Sequence, residues 1–226
     1  MSKSDKETSV FRLLLFAGRY ALGFIALLTL IEGVKQYAGI SLYRWGVFPQ
    51  DLEGLPGVFF SPLIHSGWEH LWNNSGPLFI LGTTLFWYHP NRALKIVGAI
   101  WLLEGLGVWL TGRPYFHVGA SGLVYGLFAF IVAYGAMTRK KTHLGAAFLA
   151  VFLYGSMVWG IFPVRPEHSW EGHLWGFVVG AAIGIYYARK DLITIRFNEL
   201  DNFNYYSESD VKDLDWEYTY TTKEEQ

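Results

Sequence analysis

Phe116-His117-Val118-Gly119-Ala120-Ser121-Gly122-Leu123-Val124-Tyr125-Gly126 is the stretch on which the reading of this chain turns. It follows the polar turn Thr111-Gly112-Arg113-Pro114 and opens a long apolar segment, so Ser121 falls in the first turn of a hydrophobic helix. Glycines at 119 and 122 let backbone and ligand approach the hydroxyl, and the N–H groups of a helix N-terminus are available to an oxyanion. Those are the requirements of a nucleophilic serine. A serine between packing glycines is equally the ordinary content of a membrane-helix contact, so the rest of the chain must decide between the two.

Composition supplies the setting. The chain is 52% hydrophobic and 18% aromatic, with only 16% charged residues, against about 25% charged in soluble domains. A net charge of −1 and the lack of a basic stripe exclude nucleic acid as a partner. With no cysteine, thiol nucleophiles, disulfides and cysteine metal sites are excluded, leaving oxygen and imidazole chemistry.

Six apolar runs of about bilayer-crossing length are expected near 10–33, 69–88, 93–111, 118–137, 143–161 and 172–188. The polar leader of residues 1–9 lacks a small-residue cleavage site, so the first run reads as a retained anchor. Lys3, Lys6, Arg12, Arg92, Lys95, Arg139, Lys140, Lys141, Arg189 and Lys190 gather on one side, against Lys35, Arg44, Arg113 and Arg165 on the other. By the positive-inside rule the first side is cytoplasmic and holds both termini. The second, fourth and sixth spans then all start at the external face, and their N-terminal ends share one leaflet.

The polar residues of those three spans fall at matching depth. His70 and Asn74, four apart, share one helix face near the start of the second, and polar groups inside membranes mostly face the bundle interior. His65, Glu69 and His70 cluster but lack His-Glu-x-x-His spacing, so no metal is expected. Glu104, alone in the third span, reads as structural. In the sixth span glycine recurs at 172, 176, 180 and 184, a groove of exposed backbone for close helix contact. If that groove receives the glycine face of the fourth span, His173 meets Ser121 and can serve as its base. Glu171 reads as an acid favoured by the helix dipole. The connection 34–68, rich in aromatics and proline, reads as a partly embedded external loop.

Together, Gly-Ala-Ser-Gly at 119–122, Tyr125, His-x-x-x-Asn at 70–74 and His173 with Gly176 and Gly180 resemble the rhomboid family of intramembrane serine proteases. The resemblance spans roughly 10–190. It implies an all-α, polytopic, six-transmembrane-helix bundle in which Ser121 is the nucleophile and His173 the general base, without an aspartate. It further implies an oxyanion hole of His70, Asn74 and the backbone of Ala120 and Ser121, with Tyr125 packed on the His173 ring and Gly119 and Gly122 in support. No cofactor is implied; the partners are transmembrane protein substrates and the lipid bilayer. The Trp-Arg pair that many bacterial rhomboids carry in the first external loop is represented only by the reversed Arg44-Trp45, and residue 172 is Gly where many members have Ala.

The expected organisation is a cytoplasmic leader (1–9), a six-span domain (10–190) and a disordered acidic cytoplasmic tail (191–226), in a bacterial plasma membrane. The expected activity is hydrolysis of peptide bonds in or near membrane spans. Two other classes compete with it. A non-catalytic rhomboid-like protein that binds membrane clients would typically lack Ser121 or His173, and a small transporter would more naturally show interrupted helices in matching halves.

Overall fold

The computed structural model describes the backbone of residues 3–164 and 169–203, with side chains for 14–164 and 169–194. The chain divides into two compact units, Met1–Ala188 and Arg189–Gln226. Of the second, the described residues 189–203 are helical; the acidic tail expected from 191 is thus helical as far as 203 and beyond that lies outside the described residues. Of the leader, residues 1 and 2 lie outside them too, and helix begins at Lys3.

The first unit is helical. In chain order come α1 (Lys3–Ala38), the one-turn α2 (Gly57–Phe60), α3 (Trp68–Tyr88), α4 (Ala93–Thr111), α5 (Ser121–Thr138), α6 (Lys141–Tyr154) and α7 (Trp170–Phe203), which runs on past the unit's end. A 3-10 segment, Gly155–Ile161, continues α6. The six long helices coincide with the six expected apolar runs. Only four stretches among the described residues are both long and apolar enough to cross a bilayer, however: Leu14–Ala38, Ala93–Thr111, Ser121–Thr138 and Lys141–Ile161. The two long helices outside that set, α3 and α7, are those that carry Glu69, His70, Asn73 and Asn74, and Glu171 and His173. Their polarity is what removes them.

Helix α5 is apolar around its whole circumference, the pattern of a helix with neighbours on every side, and 72% of its span is buried. Leu123, Leu127 and Phe130 from α5 meet Leu71, Leu78 and Leu81 from α3 and Ile96 and Ile100 from α4 in the main core. At the other extreme only 11% of the Lys141–Ile161 span is buried, with Phe148 and Phe152 fully outward. An apolar face exposed to this extent suits a lipid environment.

The connection from α1 to α3 is folded on itself, as its apolar composition suggests. Val47, Val58 and Val108 form a small separate cluster under it. Its backbone is stitched to the segment before Ser121: Val47 and His117 exchange both N–H···O bonds, at 2.9 and 2.8 Å, and the Gly119 N–H donates to the Ser61 carbonyl at 2.9 Å. Indole N–H groups add two ties, Trp101 to the Phe59 carbonyl at 3.0 Å and Trp109 to the Asp51 carbonyl at 2.8 Å. The loop thereby fixes the chain that leads into α5.

Candidate active site

Ser121 is the first residue of α5, with Ala120 as N-cap. Its N–H lies in the turn where a helix has no internal acceptor. The preceding Gly119 has φ +116°, a value an L side chain rarely adopts. A Cβ there would also stand 2.5 Å from His70 Cε1 and 2.7 Å from Nε2. Glycine at 119 therefore both turns the chain into α5 and lets the His70 ring rest against the loop beside Ser121.

His173 stands in the first turn of α7, and its Nε2 is 2.9 Å from Ser121 Oγ. The two helices approach this closely because glycine faces glycine: a Cβ at 176 would overlap the Gly122 carbonyl, and one at 180 the Gly126 carbonyl. His173 Nδ1 lies 2.9 Å from the carbonyl oxygen of Gly160, in the 3-10 segment after α6. A carbonyl only accepts, so Nδ1 carries the proton and Nε2 presents its lone pair to the Ser121 hydroxyl. This is the tautomer a general base requires. Tyr125 stacks on the same ring, with centroids 4.2 Å apart and planes 6° from parallel. A Cβ at Gly160 would collide with the Tyr125 hydroxyl, so the backbone carbonyl reaches His173 only because residue 160 has no side chain.

The tautomer of His70 follows by the same logic. Its Nδ1 accepts from the Ser66 N–H at 3.4 Å and lies 3.1 Å from the Ser66 hydroxyl, which leaves the proton on Nε2, the nitrogen beside Gly119. Asn74 is buried, and its Nδ2 is without a hydrogen-bond partner among the described residues, an arrangement that costs about 1–3 kcal/mol when a donor is left unmade. The Ala120 N–H is directed to His65 Nε2 at 3.4 Å rather than toward Ser121.

Ser121, His173 and His70 line one open cavity of about 590 Å³, together with Ser66, Tyr43 and Phe116. The neighbour of Asn74, Asn73, is among its lining residues, while Asn74 itself is buried. Glu104 packs its carboxyl against the Cα of Gly122, beneath Ser121.

Other polar residues at the site make contacts that the sequence did not assign. His65, 2% exposed, sets its ring edge-on to His70 at 5.0 Å between centroids. Burial first, then the charges of His70 and Lys35, push its pKa down to about 3, so it stays a neutral acceptor. Glu171 does not reach His173. It receives Arg113 through Nε to Oε1 at 2.5 Å and Nη2 to Oε2 at 3.1 Å. Arg113 stands in the turn ahead of the helix carrying Ser121, and Glu171 in the first turn of the helix carrying His173. Burial also lowers the pKa of His117 and, with Glu171 next, raises the Tyr115 phenol to about 12. Among the described residues no group of three or more His, Asp and Glu is placed to hold a metal ion.

Comparison with known proteins agrees with this geometry. The family model described as Rhomboid domain matches residues 53–190, from the connection that follows α1 into α7. Uncharacterized proteins of Mycobacterium bovis and Mycobacterium tuberculosis are each 38% identical over 172 residues, covering 72% of this chain and 72% of theirs. An uncharacterized protein of Mycobacterium leprae is 31% identical over 187 residues, covering 79% of this chain and 74% of its own. Serine, histidine and glycine faces, helical architecture and family match converge: the chain belongs to the rhomboid family of multi-pass membrane proteins.

Proposed function

We propose that this protein is an intramembrane serine endopeptidase that cleaves membrane-anchored proteins in or near their spans, using Ser121 and His173. The single observation that carries the reading is the Ser121 Oγ to His173 Nε2 distance of 2.9 Å, with Nδ1 held by the Gly160 carbonyl. The carbonyl does for the imidazole what an aspartate does in a triad, fixing tautomer and orientation, but without a negative charge.

In the proposed reaction His173 Nε2 takes the Ser121 proton as Oγ attacks the scissile carbonyl. The oxyanion that forms is met by the Ser121 N–H, His70 Nε2–H and Asn74 Nδ2–H. The Ala120 N–H, in long contact with His65 at rest, is the remaining backbone donor. Losing one such donor typically costs about 2.7–4 kcal/mol of barrier. The tetrahedral intermediate collapses as Nε2–H protonates the leaving amine, which leaves an acyl ester on Ser121. Water then attacks that ester with His173 again as base, and the carboxylate product departs. Tyr125 keeps the ring in plane throughout. Water reaches the site through the open cavity, since hydrocarbon provides none.

The orientation that suits this chemistry is six spans with both termini cytoplasmic in a bacterial plasma membrane. A substrate helix must unwind locally to expose its peptide bond, because helical hydrogen bonds and side chains shield it. The experiment is cleavage of a single-span test protein by purified enzyme in detergent, wild type against Ser121→Ala and His173→Ala. Product from wild type alone supports the reading. A folded wild type that cuts nothing across a panel of spans, or a Ser121→Ala variant that cuts equally well, would replace it with client binding.

A further inference from the structure

We propose that Arg113 and Glu171 are positioning residues that set the register of α5 against α7 and thereby hold Ser121 and His173 at bonding distance. The inference rests on the protease reading. Its starting point is the nature of the α5–α7 contact, where the backbone of Gly176 and Gly180 lies directly on the carbonyls of Gly122 and Gly126. Such a contact brings helices close but leaves few side chains between them to resist sliding and rotation, the rings of Tyr125 on His173 and of Phe128 beside Phe177 being the ones that cross it. Catalysis is unforgiving on this point, since a misplacement of about 1 Å can cost 10²-fold in rate. Polar ties at the mouth add what these rings do not supply.

Two struts cross there between the segment that leads into α5 and the segment that begins α7. In the first, Arg113 grips Glu171 through both carboxylate oxygens. The Arg113 backbone N–H adds a third bond to Oε1 at 3.3 Å. Tyr115 donates its phenol to Oε2 at 3.4 Å while accepting from Arg113 Nη2 at 2.8 Å. The Glu171 side chain is only 4% exposed while that of Arg113 is 36% exposed, so the pair is partly screened by water and its use is the geometry of the two-oxygen fork rather than the strength of the charge pair. In the second strut, His117 Nε2–H donates to the Arg113 carbonyl at 3.1 Å, which leaves Nδ1 to accept from the Ser169 hydroxyl at 2.6 Å. Residues 113, 115 and 117 on one side thus engage 169 and 171 on the other. Glu171 is two residues from His173, so the strut acts on the base almost directly.

The test compares wild type, Arg113→Ala, Arg113→Lys and Glu171→Gln for cleavage of a single-span test protein, and for the rate at which a fluorophosphonate labels Ser121. Arg113→Ala should lower kcat and the labelling rate at least tenfold with KM within twofold. Arg113→Lys, which keeps the charge and loses the fork, should fall between. Millimolar guanidinium chloride should restore part of the Arg113→Ala rate where equal sodium chloride does not, a rescue that mere loss of stability would not give because guanidinium is a denaturant. If Arg113→Ala does not fold, Glu171→Gln, which keeps the shape and drops the charge, carries the same expectation for kcat against KM. Normal kcat and labelling in the folded variants, or losses that guanidinium leaves untouched, overturn the proposal while wild-type cleavage keeps the protease reading intact. A wild type that neither cleaves nor labels overturns both.

Discussion

The Gly160 carbonyl offers the sharpest handle on the proposed chemistry, because a single methyl group perturbs it. In Gly160→Ala the new Cβ would meet the Tyr125 hydroxyl first, then Tyr125 Cζ at 3.1 Å and His173 Nδ1 at 3.2 Å. Tyr125 is pinned on the His173 ring at 4.2 Å, so it cannot retreat without disturbing the base. The 3-10 segment must move instead, and the Nδ1–H···O bond of 2.9 Å lengthens. A hydrogen bond of this kind is worth about 0.5–1.5 kcal/mol net, or roughly 2- to 13-fold in rate at about 1.36 kcal/mol per decade. Displacement of the ring adds to that, so kcat should fall about 10- to 100-fold with little change in KM. The assay is steady-state cleavage of a single-span protein in detergent, with the thermal midpoint measured alongside. Tyr125→Phe removes the atom the methyl strikes first, and the double variant should recover part of the lost rate relative to Gly160→Ala. A folded Gly160→Ala enzyme with kcat within twofold of wild type would falsify the assignment of the carbonyl as the group that fixes the base.

Three further outcomes follow from the same geometry. Gly119→Ala forces a side chain onto φ +116° and into the His70 ring; backbone strain of about 1–3 kcal/mol plus the displaced donor should cost roughly 10²-fold in cleavage, and a near-normal rate would remove His70 from the oxyanion site. Gly176→Ala drives a methyl into the Gly122 carbonyl, so overpacking of about 1–3 kcal/mol should lower the thermal midpoint and slow fluorophosphonate labelling of Ser121 together; unchanged labelling would show that α5 and α7 meet elsewhere. The pKa of His65, lowered from 6.5 to about 3, makes stability pH-dependent. The unfolded chain binds this proton below about pH 6.5 and the folded one only near pH 3, so stability declines as pH falls through that window, by about 2 kcal/mol at pH 5. Thermal midpoints between pH 7.5 and 5 should therefore drop less in His65→Gln than in wild type, and equal slopes would contradict the assignment.

How much of this was legible in the sequence depended on which atoms carry the information. Ser121 and His173 could be paired because glycine spacing at 122 and 126 and at 172, 176, 180 and 184 is written in side chains, or in their absence, and because the charge asymmetry of the connections placed both at one depth. The Gly160 carbonyl could not be read, since every residue has one and only the fold selects which reaches an imidazole. Asn73 and Asn74 are adjacent, and a helix turns about 100° between them; only the fold decides that Asn73 lines the cavity while Asn74 is buried. Of the six expected spans, α3 and α7 are not among the four long and apolar enough to cross a bilayer, and the polar residues that set them apart, among them His70, Asn74 and His173, are the ones proposed for the site. The connection 34–68 folds on itself, and its stitching to residues 117 and 119 is backbone to backbone and again invisible beforehand.

The order of the parts along the chain has a consequence for how the molecule is made. The serine is on α5, while the base, the carbonyl that orients it and the acid that engages Arg113 all belong to residues 160–173. Synthesis runs from N- to C-terminus, so a nascent chain carries its nucleophile through the membrane machinery long before it has anything to deprotonate it. In the proposed mechanism, chemical competence begins only when α7 docks its glycines on α5. The polypeptide therefore remains inert while its own spans are still loose and exposed, which is when an unguarded membrane protease would be most dangerous to itself and to its neighbours.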